Sequence, residues 1–315
     1  MSMRHALSLA AALLAGAPAT ANDSTAELAA GGLVLTTSDA IEMRSEDLII
    51  SRSEVRVRYQ FVNSSARDVS VRVAFPMPPI GGPGFFDGDV SIPVDGTDNF
   101  LGFSTRIDGK PVPMEIEHKA MVGASDRTAW LRANAIPLRP QAAETEAALA
   151  RLAPAKAEEA ARLGLVDAEG RPDWALHTTY HWMQRFAAGK PVAIEHSYRP
   201  SVGGTVGTLI GSDPSDPNIA RYCVDRPLLT TLRAAAAGER GFTEQWVNYI
   251  LVTGGNWKKP IGDFRLVIDK EHPQDLVSFC GEGVRKIAPT RFEMRRTNWR
   301  PDRDLAILFL TPHGR

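Results

Sequence analysis

Val55, Val57, Tyr59 and Phe61 alternate with Glu54, Arg56, Arg58 and Gln60; past a polar stretch from Asn63 to Asp68, Val69, Val71, Val73 and Phe75 alternate with Ser70 and Arg72. A period of two places one set of side chains on each face of a strand. Two such segments split by turn residues predict an antiparallel hairpin with one buried face. Residues 33–35 and 48–50 predict short strands ahead of it. Pro76, Met77, Pro78 and Pro79 end the hairpin, because proline cannot donate to a central ladder. A long irregular loop is expected from Gly81 to Asn99. Short strands then resume over 101–107 and 112–117, either side of a turn at Asp108-Gly109-Lys110.

From Gln141 the pattern changes. Residues 142–152 and 155–163 are rich in Ala, Glu, Lys and Arg, which favour helix, and Pro154 separates them. Gly164 followed by Leu165 reads as a helix stop with its hydrophobic clasp. The stretch 141–174 is therefore expected to be a helical insertion that buries little and is dispensable. Strands return over 178–186 and 192–198. Residues 201–218 read as loop, and Asp225 caps a helix expected over 227–237. Residues 245–253 are apolar on both faces, which predicts a central strand. Further strands are expected over 264–268, 276–280, 291–295 and 305–310. The fold class is mainly β: two antiparallel β-sandwich-like domains, 22–200 with the insertion 141–174 and 241–315, joined by a loop and short helix over 201–240.

The first residues follow another rule. Arg4 and His5 precede an apolar run over 6–16, Pro18 breaks it, and Ala19-Thr20-Ala21 supplies small residues where a signal peptidase reads. This is the pattern of a secretory signal over 1–21, cleaved so that the chain begins at Asn22 in the periplasm. No later apolar run approaches the roughly 20 residues that span a bilayer, so no transmembrane segment is expected. In an oxidising compartment the two cysteines, Cys223 and Cys280, are expected to form one disulfide. Lys and Arg number 36 against 37 Asp and Glu, a formal net charge of −1, which argues against a nucleic-acid partner.

Candidate chemistry is sparse. The sequence has no Gly-x-Ser-x-Gly elbow, no phosphate loop and no His-Glu-x-x-His. Asp87, Asp89, Asp95, Asp98 and Asn99 crowd one loop, as ligands of a hard cation do, but Ile92 and Pro93 stand where an EF-hand needs a turn glycine and a backbone ligand. His177 and His181 would share a strand face about 13 Å apart, too far for one ion; with His196 they read as surface or interstrand residues. Arg285, Lys286, Arg291, Arg295, Arg296, Arg300 and Arg303 form a late basic cluster, read as a solvated sheet face that could meet an acidic partner. Phe85 and Phe86, set in the glycine-rich loop, are a candidate interaction site, or else a plug over the sandwich end.

Several segments together carry a resemblance: Asn22-Asp23-Ser24 with 27–33, Ile41-Glu42-Met43, Glu46-Asp47-Leu48, Val57-Arg58-Tyr59, 73–78, 196–204, and Phe279-Cys280-Gly281-Glu282-Gly283. Over essentially the whole mature length the chain resembles the bacterial family catalogued as domain of unknown function 4424, which implies no activity. The order Tyr59-x-Phe61-x-Asn63, Phe75-Pro76-Met77-Pro78, Asp108-Gly109-Lys110-Pro111-Val112, an Ala-rich helical piece and 186–192 with Tyr198 is similar to the vault/inter-alpha-trypsin β-sandwich domain. That likeness implies a protein-interaction role. The expected function is thus a non-catalytic periplasmic binding or structural protein, with no catalytic residue, cofactor or metal, whose partner is a protein or envelope component. The alternatives are a hydrolase or carbohydrate-active enzyme using Asp residues of the 81–99 loop, and a small-ligand carrier with a closed apolar cavity.

Overall fold

The computed structural model describes residues 22–29, 32–94, 96–236 and 241–313. The expected leader, 1–21, lies outside them. The chain is mainly β, as its period-two segments require. One sheet runs in the order Ser125–Asp126, Glu115–Val122, Ala175–Phe186, Val69–Pro76, Ser24–Ala29, Gly32–Thr36, with Ile80–Gly81 added to Ala175–Phe186. A second runs Arg285–Lys286, Arg291–Trp299, Ile261–Asp269, Ile41–Ile50, Val55–Asn63, Pro191–Tyr198, Ser104–Ile107, Lys110–Val112. A third runs Leu276–Phe279, Leu305–Pro312, Phe242–Tyr249, Val202–Thr205, Asp89–Ser91. Phe242–Tyr249 is central to its sheet, but the strand begins earlier and ends sooner than the expected 245–253: its residues alternate between buried and partly buried, and the chain leaves the sheet after Tyr249 for a 3-10 turn over Val252–Asn256.

The expected hairpin is not formed. Val55–Asn63 pairs with Ile41–Ile50 and Pro191–Tyr198, whereas Val69–Pro76 pairs with Ala175–Phe186 and Ser24–Ala29 in the other sheet. The connection is an arch that crosses the core. Asn63 shapes it: its Nδ2 donates to the carbonyls of Arg67 and Phe186, and its Oδ1 accepts from the Ser65 N–H and hydroxyl. Alternation is identical for a chain that turns within a sheet and one that flips over to the next, so the pattern could not separate them. By contrast, Asp108 and Gly109 both have positive φ, 47° and 78°, as a tight hairpin between Ser104–Ile107 and Lys110–Val112 demands.

Strands from both sides of 201–240 share the second sheet. Ile261–Asp269 joins parallel to Ile41–Ile50, and Phe61, Phe75, Tyr249, Leu266 and Ile307 belong to one buried cluster. The expected loop 81–99 carries the strand Asp89–Ser91, which pairs with Val202–Thr205 inside the other expected loop. Short Gly- and Asp-bearing strands have too few residues to display a period.

The helices Ala143–Leu149 and Pro154–Arg162 form as expected. Gly164 has φ of +71°, and the Leu165 N–H reaches the Ala160 carbonyl at 3.0 Å, closing the second helix. The insertion is not mere decoration. Leu149, Ala160, Leu165 and Trp174 make a satellite core with Ala120, Leu131 and Ile136. Trp174 is fully buried and donates to the Leu138 carbonyl at 2.7 Å, while its own carbonyl accepts from Gly82. A Cβ on Gly81, whose φ is +98°, would stand 2.5 Å from that carbonyl, so the loop can close only with glycine there.

Candidate functional site

The side chains singled out in the sequence do not converge. Asp89 is exposed and lines a shallow hollow of about 340 Å³ with Gly88, Ser91, Gly203, Gly204 and Gln245, where it is the one lining carboxylate among the described residues. Asp98 instead comes within 4.0 Å of His118 Nε2. Asn99 turns inward and accepts from the Phe103 N–H and the Tyr180 hydroxyl. Asp95 and the Asp87 side chain lie outside the described residues. Among the described residues, no group of three or more His, Cys, Asp or Glu side chains is placed to hold a metal ion. His177 and His181 lie on Ala175–Phe186, and burial lowers the pKa of both. Arg72 stands 2.9 Å from His181 Nδ1. His196 lies in the facing sheet.

The basic cluster is largely paired. The Glu293 carboxylate is nearly buried and accepts from Arg265, Arg295 and Arg285 at 2.8, 3.0 and 3.1 Å. These bonds, those of Arg295 and Arg265 foremost, hold its pKa down at about 2. Arg291 pairs with Asp269 at 2.8 Å, and Arg296 with Glu282 at 3.2 Å. The phenylalanine pair is half-buried. Phe85 packs on the main core, and Phe86 meets it edge-on at 5.1 Å with the Arg171 guanidinium 5.7 Å from its ring. Cys223 and Cys280 are disulfide-bonded, with Cα atoms 5.0 Å apart.

Sequence patterning missed a polar cluster at the centre of the main core. Asn22, Asp23, Glu46, Tyr59, His196 and Tyr249 are each at most 1% exposed. His196 Nε2 faces the Asp23 carboxylate at 3.1 and 3.2 Å, and Nδ1 lies 2.9 Å from Thr105 Oγ1. The rings of Phe75, Phe103 and Trp182 surround the imidazole, with centroids 5.0 to 5.4 Å away. The Asp23 carbonyl accepts from Trp257 Nε1 at 2.7 Å. Asn22 Oδ1 accepts from the Asp23 N–H and from the Tyr59 hydroxyl, which lies 3.3 Å from that of Tyr249. Asn22 Nδ2 donates to Glu46 Oε2 at 3.0 Å. Burial pushes Glu46 up to about 8, and raises Asp23 against the pull of His196. Burial also raises Tyr59 and Tyr249. The triplet Asn22-Asp23-Ser24 was the one available signal, since three polar residues open a strand that is buried at its start.

Thr105, His196 and Asp23 stand in the order hydroxyl, imidazole, carboxylate, an arrangement that activates nucleophiles elsewhere. Here all three are at most 2% exposed and packed among aromatic rings, so a substrate has no route to the hydroxyl. The arrangement ties the start of the N-terminal strand, which belongs to one sheet, to two neighbouring strands of the facing sheet.

A surface groove of about 430 Å³ lies beside the disulfide. Leu251, Met294 and Trp299 supply apolar lining; Arg296, Arg300 and Arg303 line it against two carboxylates, Glu282 and Asp302. Arg300 donates to the Gly255 carbonyl, and Arg303 comes 3.7 Å from Asp302. A guanidinium has five N–H donors, more than these contacts use.

These features describe a mainly-β protein with three sheets, one polar-centred core and a disulfide-edged groove. The chain belongs to the family of domain of unknown function DUF4424, whose model matches residues 21–308. No curated protein matches it. Among solved structures it is similar to a "putative nutrient binding protein" from Legionella pneumophila subsp. pneumophila str. Philadelphia 1, at 15% identity and a TM-score of 0.47, over 93% of this chain and 70% of that one.

Proposed function

We propose that this chain is an exported, non-catalytic periplasmic protein that binds an anionic group of a protein or envelope component in the groove beside Cys223–Cys280. The observation that carries this reading is the lining of that groove: three arginines, in excess over the two carboxylates Glu282 and Asp302, with Trp299 around a hollow of about 430 Å³. Pockets of such size suit a small anionic group or a short side-chain cluster, and arginine forks recognise carboxylates and phosphates. The disulfide supports both the rigidity of the site and an oxidising compartment. Among the described residues, no helix is long and apolar enough to cross a membrane. The burial of Thr105, His196 and Asp23 favours binding over catalysis.

The test is a titration of the exported protein with a glutamate-rich peptide and with inorganic phosphate, followed by tryptophan fluorescence. A saturable change is expected from one of them, weakened by salt and abolished in Arg296→Ala/Arg300→Ala. A signal that survives in the double variant, or that Trp299→Phe leaves intact, overturns the assignment to this groove.

A further inference from the structure

We infer that leader removal between Ala21 and Asn22 creates a structural ion pair: the new α-ammonium of Asn22 enters the core and neutralises Glu46. This rests on the reading that the chain is exported and cut at that bond. Asn22 is fully buried and its side-chain amide already donates to Glu46 Oε2 at 3.0 Å. Covalent geometry keeps the backbone nitrogen of an asparagine within roughly 3–5 Å of its own side-chain amide. The backbone nitrogen is thereby held within roughly 8 Å of Glu46 Oε2, near enough for a freed α-ammonium to turn towards the carboxyl.

The charge balance of the cluster points the same way. Two carboxyl groups, Asp23 and Glu46, are buried together. Asp23 has His196 as partner. Glu46 has the Asn22 amide on one oxygen, while Oε1 is buried with no hydrogen-bond partner among the described residues. A buried carboxylate left in that state is strongly disfavoured. A peptide N–H at Asn22 brings one donor and no charge. An α-ammonium brings a full charge and three donors, which is what an ionised Glu46 lacks. The site is also fitted closely around Asn22. A Cβ on Gly254 would come 2.8 Å from Asn22 Nδ2, and the next residue is held through Trp257. The first strand then runs directly into its sheet, with Ser24 opposite Ala74. Processing of the leader thus completes the core chemically.

The experiment uses protein recovered from the periplasm. Intact mass reads the cut: a chain that begins at Asn22 is expected, a chain cut at any other residue overturns the ion pair alone, and a chain that retains Met1 overturns the cleaved-leader reading with it. On the chain beginning at Asn22, acetylation of the α-amine by an amine-reactive ester is measured in buffer and in urea. Native labelling should be slowed roughly tenfold or more, because the amine is exposed only when the N-terminal strand opens. Equal rates overturn the ion pair and leave the export reading standing. A variant with one glycine inserted ahead of Asn22 moves the charge one residue out. It should melt lower, and Glu46→Gln should lower the melting temperature of the natural mature chain but not of the extended one. Equal losses in both backgrounds overturn the proposal. If Glu46→Gln does not fold, the labelling rates alone decide.

Discussion

His196 Nε2 lies 3.1 Å from Oδ1 of Asp23, a residue 173 positions earlier, with both side chains fully buried. That contact ties the N-terminal strand to the facing sheet through Pro191–Tyr198. Removing one partner of a buried pair strands the other, at a cost of about 3–5 kcal/mol. Asp23→Ala should lower stability by that order with little change in the urea m-value. A loss below about 1 kcal/mol, the range of exposed pairs, would show that the pair is relaxed by solvent.

Glu46 gives a pH signature. Asn22, Asp23, Tyr59 and Tyr249 face its carboxyl, and burial pushes it up to about 8 from an ordinary 4.5. With a folded pKa above the unfolded one, the folded state holds the proton more tightly. Stability from this group is therefore full below about pH 4.5 and declines as pH rises towards about 8, by at most about 1.4 kcal/mol per unit. The glycine-extended chain should show this decline in urea melts between pH 5 and 8. Glu46→Gln should flatten it, and so should a chain that begins at Asn22 if its ammonium pairs with Glu46 as proposed. A decline of equal slope in all three chains assigns it to another group.

The disulfide joins cysteines 57 positions apart. Chain entropy then predicts that Cys223→Ser/Cys280→Ser loses roughly 4 kcal/mol, because the open chain gains freedom when unfolded. Thermal melts of the double variant and of the reduced natural protein should agree. Because the bridge edges the groove, peptide or phosphate binding should weaken in the folded variant as well.

Trp174 decides whether the insertion can be removed. Replacing 141–173 with a Gly/Ser linker keeps the indole, its bond to Leu138 and its contact with Gly82. It still uncovers Ala120, Leu131 and Ile136. Trp174→Ala empties a fully buried site and should cost about 3–5 kcal/mol. The linker variant should be destabilised yet exported. A Trp174→Ala protein with an unchanged melt would show that the satellite core contributes nothing.

Much of the local structure was legible in the chain. Alternation located Val55–Asn63, Val69–Pro76 and Pro191–Tyr198, because strand geometry stamps a period of two on any half-buried segment. Asp225 caps its helix through the Leu228 N–H, and Gly164 ends another, because these are contacts between near neighbours in sequence. Two cysteines in a chain with a leader pattern left one intramolecular pairing to expect, and it is present.

Only the tertiary structure decided which strands lie side by side. The segments flanking Asn63 to Asp68 carry the alternation of a hairpin and form an arch, because packing across the core and not periodicity chooses the neighbour. The same holds for the chemistry. Asn22, Glu46, Tyr59, His196 and Tyr249 come from separate strands or strand ends, and no spacing links them. Glu293 turns a run of arginines into a paired network because sheet register sets Arg265 and Arg285 beside it. Burial then does what composition cannot: it makes an ordinary glutamate at position 46 a group that needs a partner, and sets the side-chain amide of Asn22 against it.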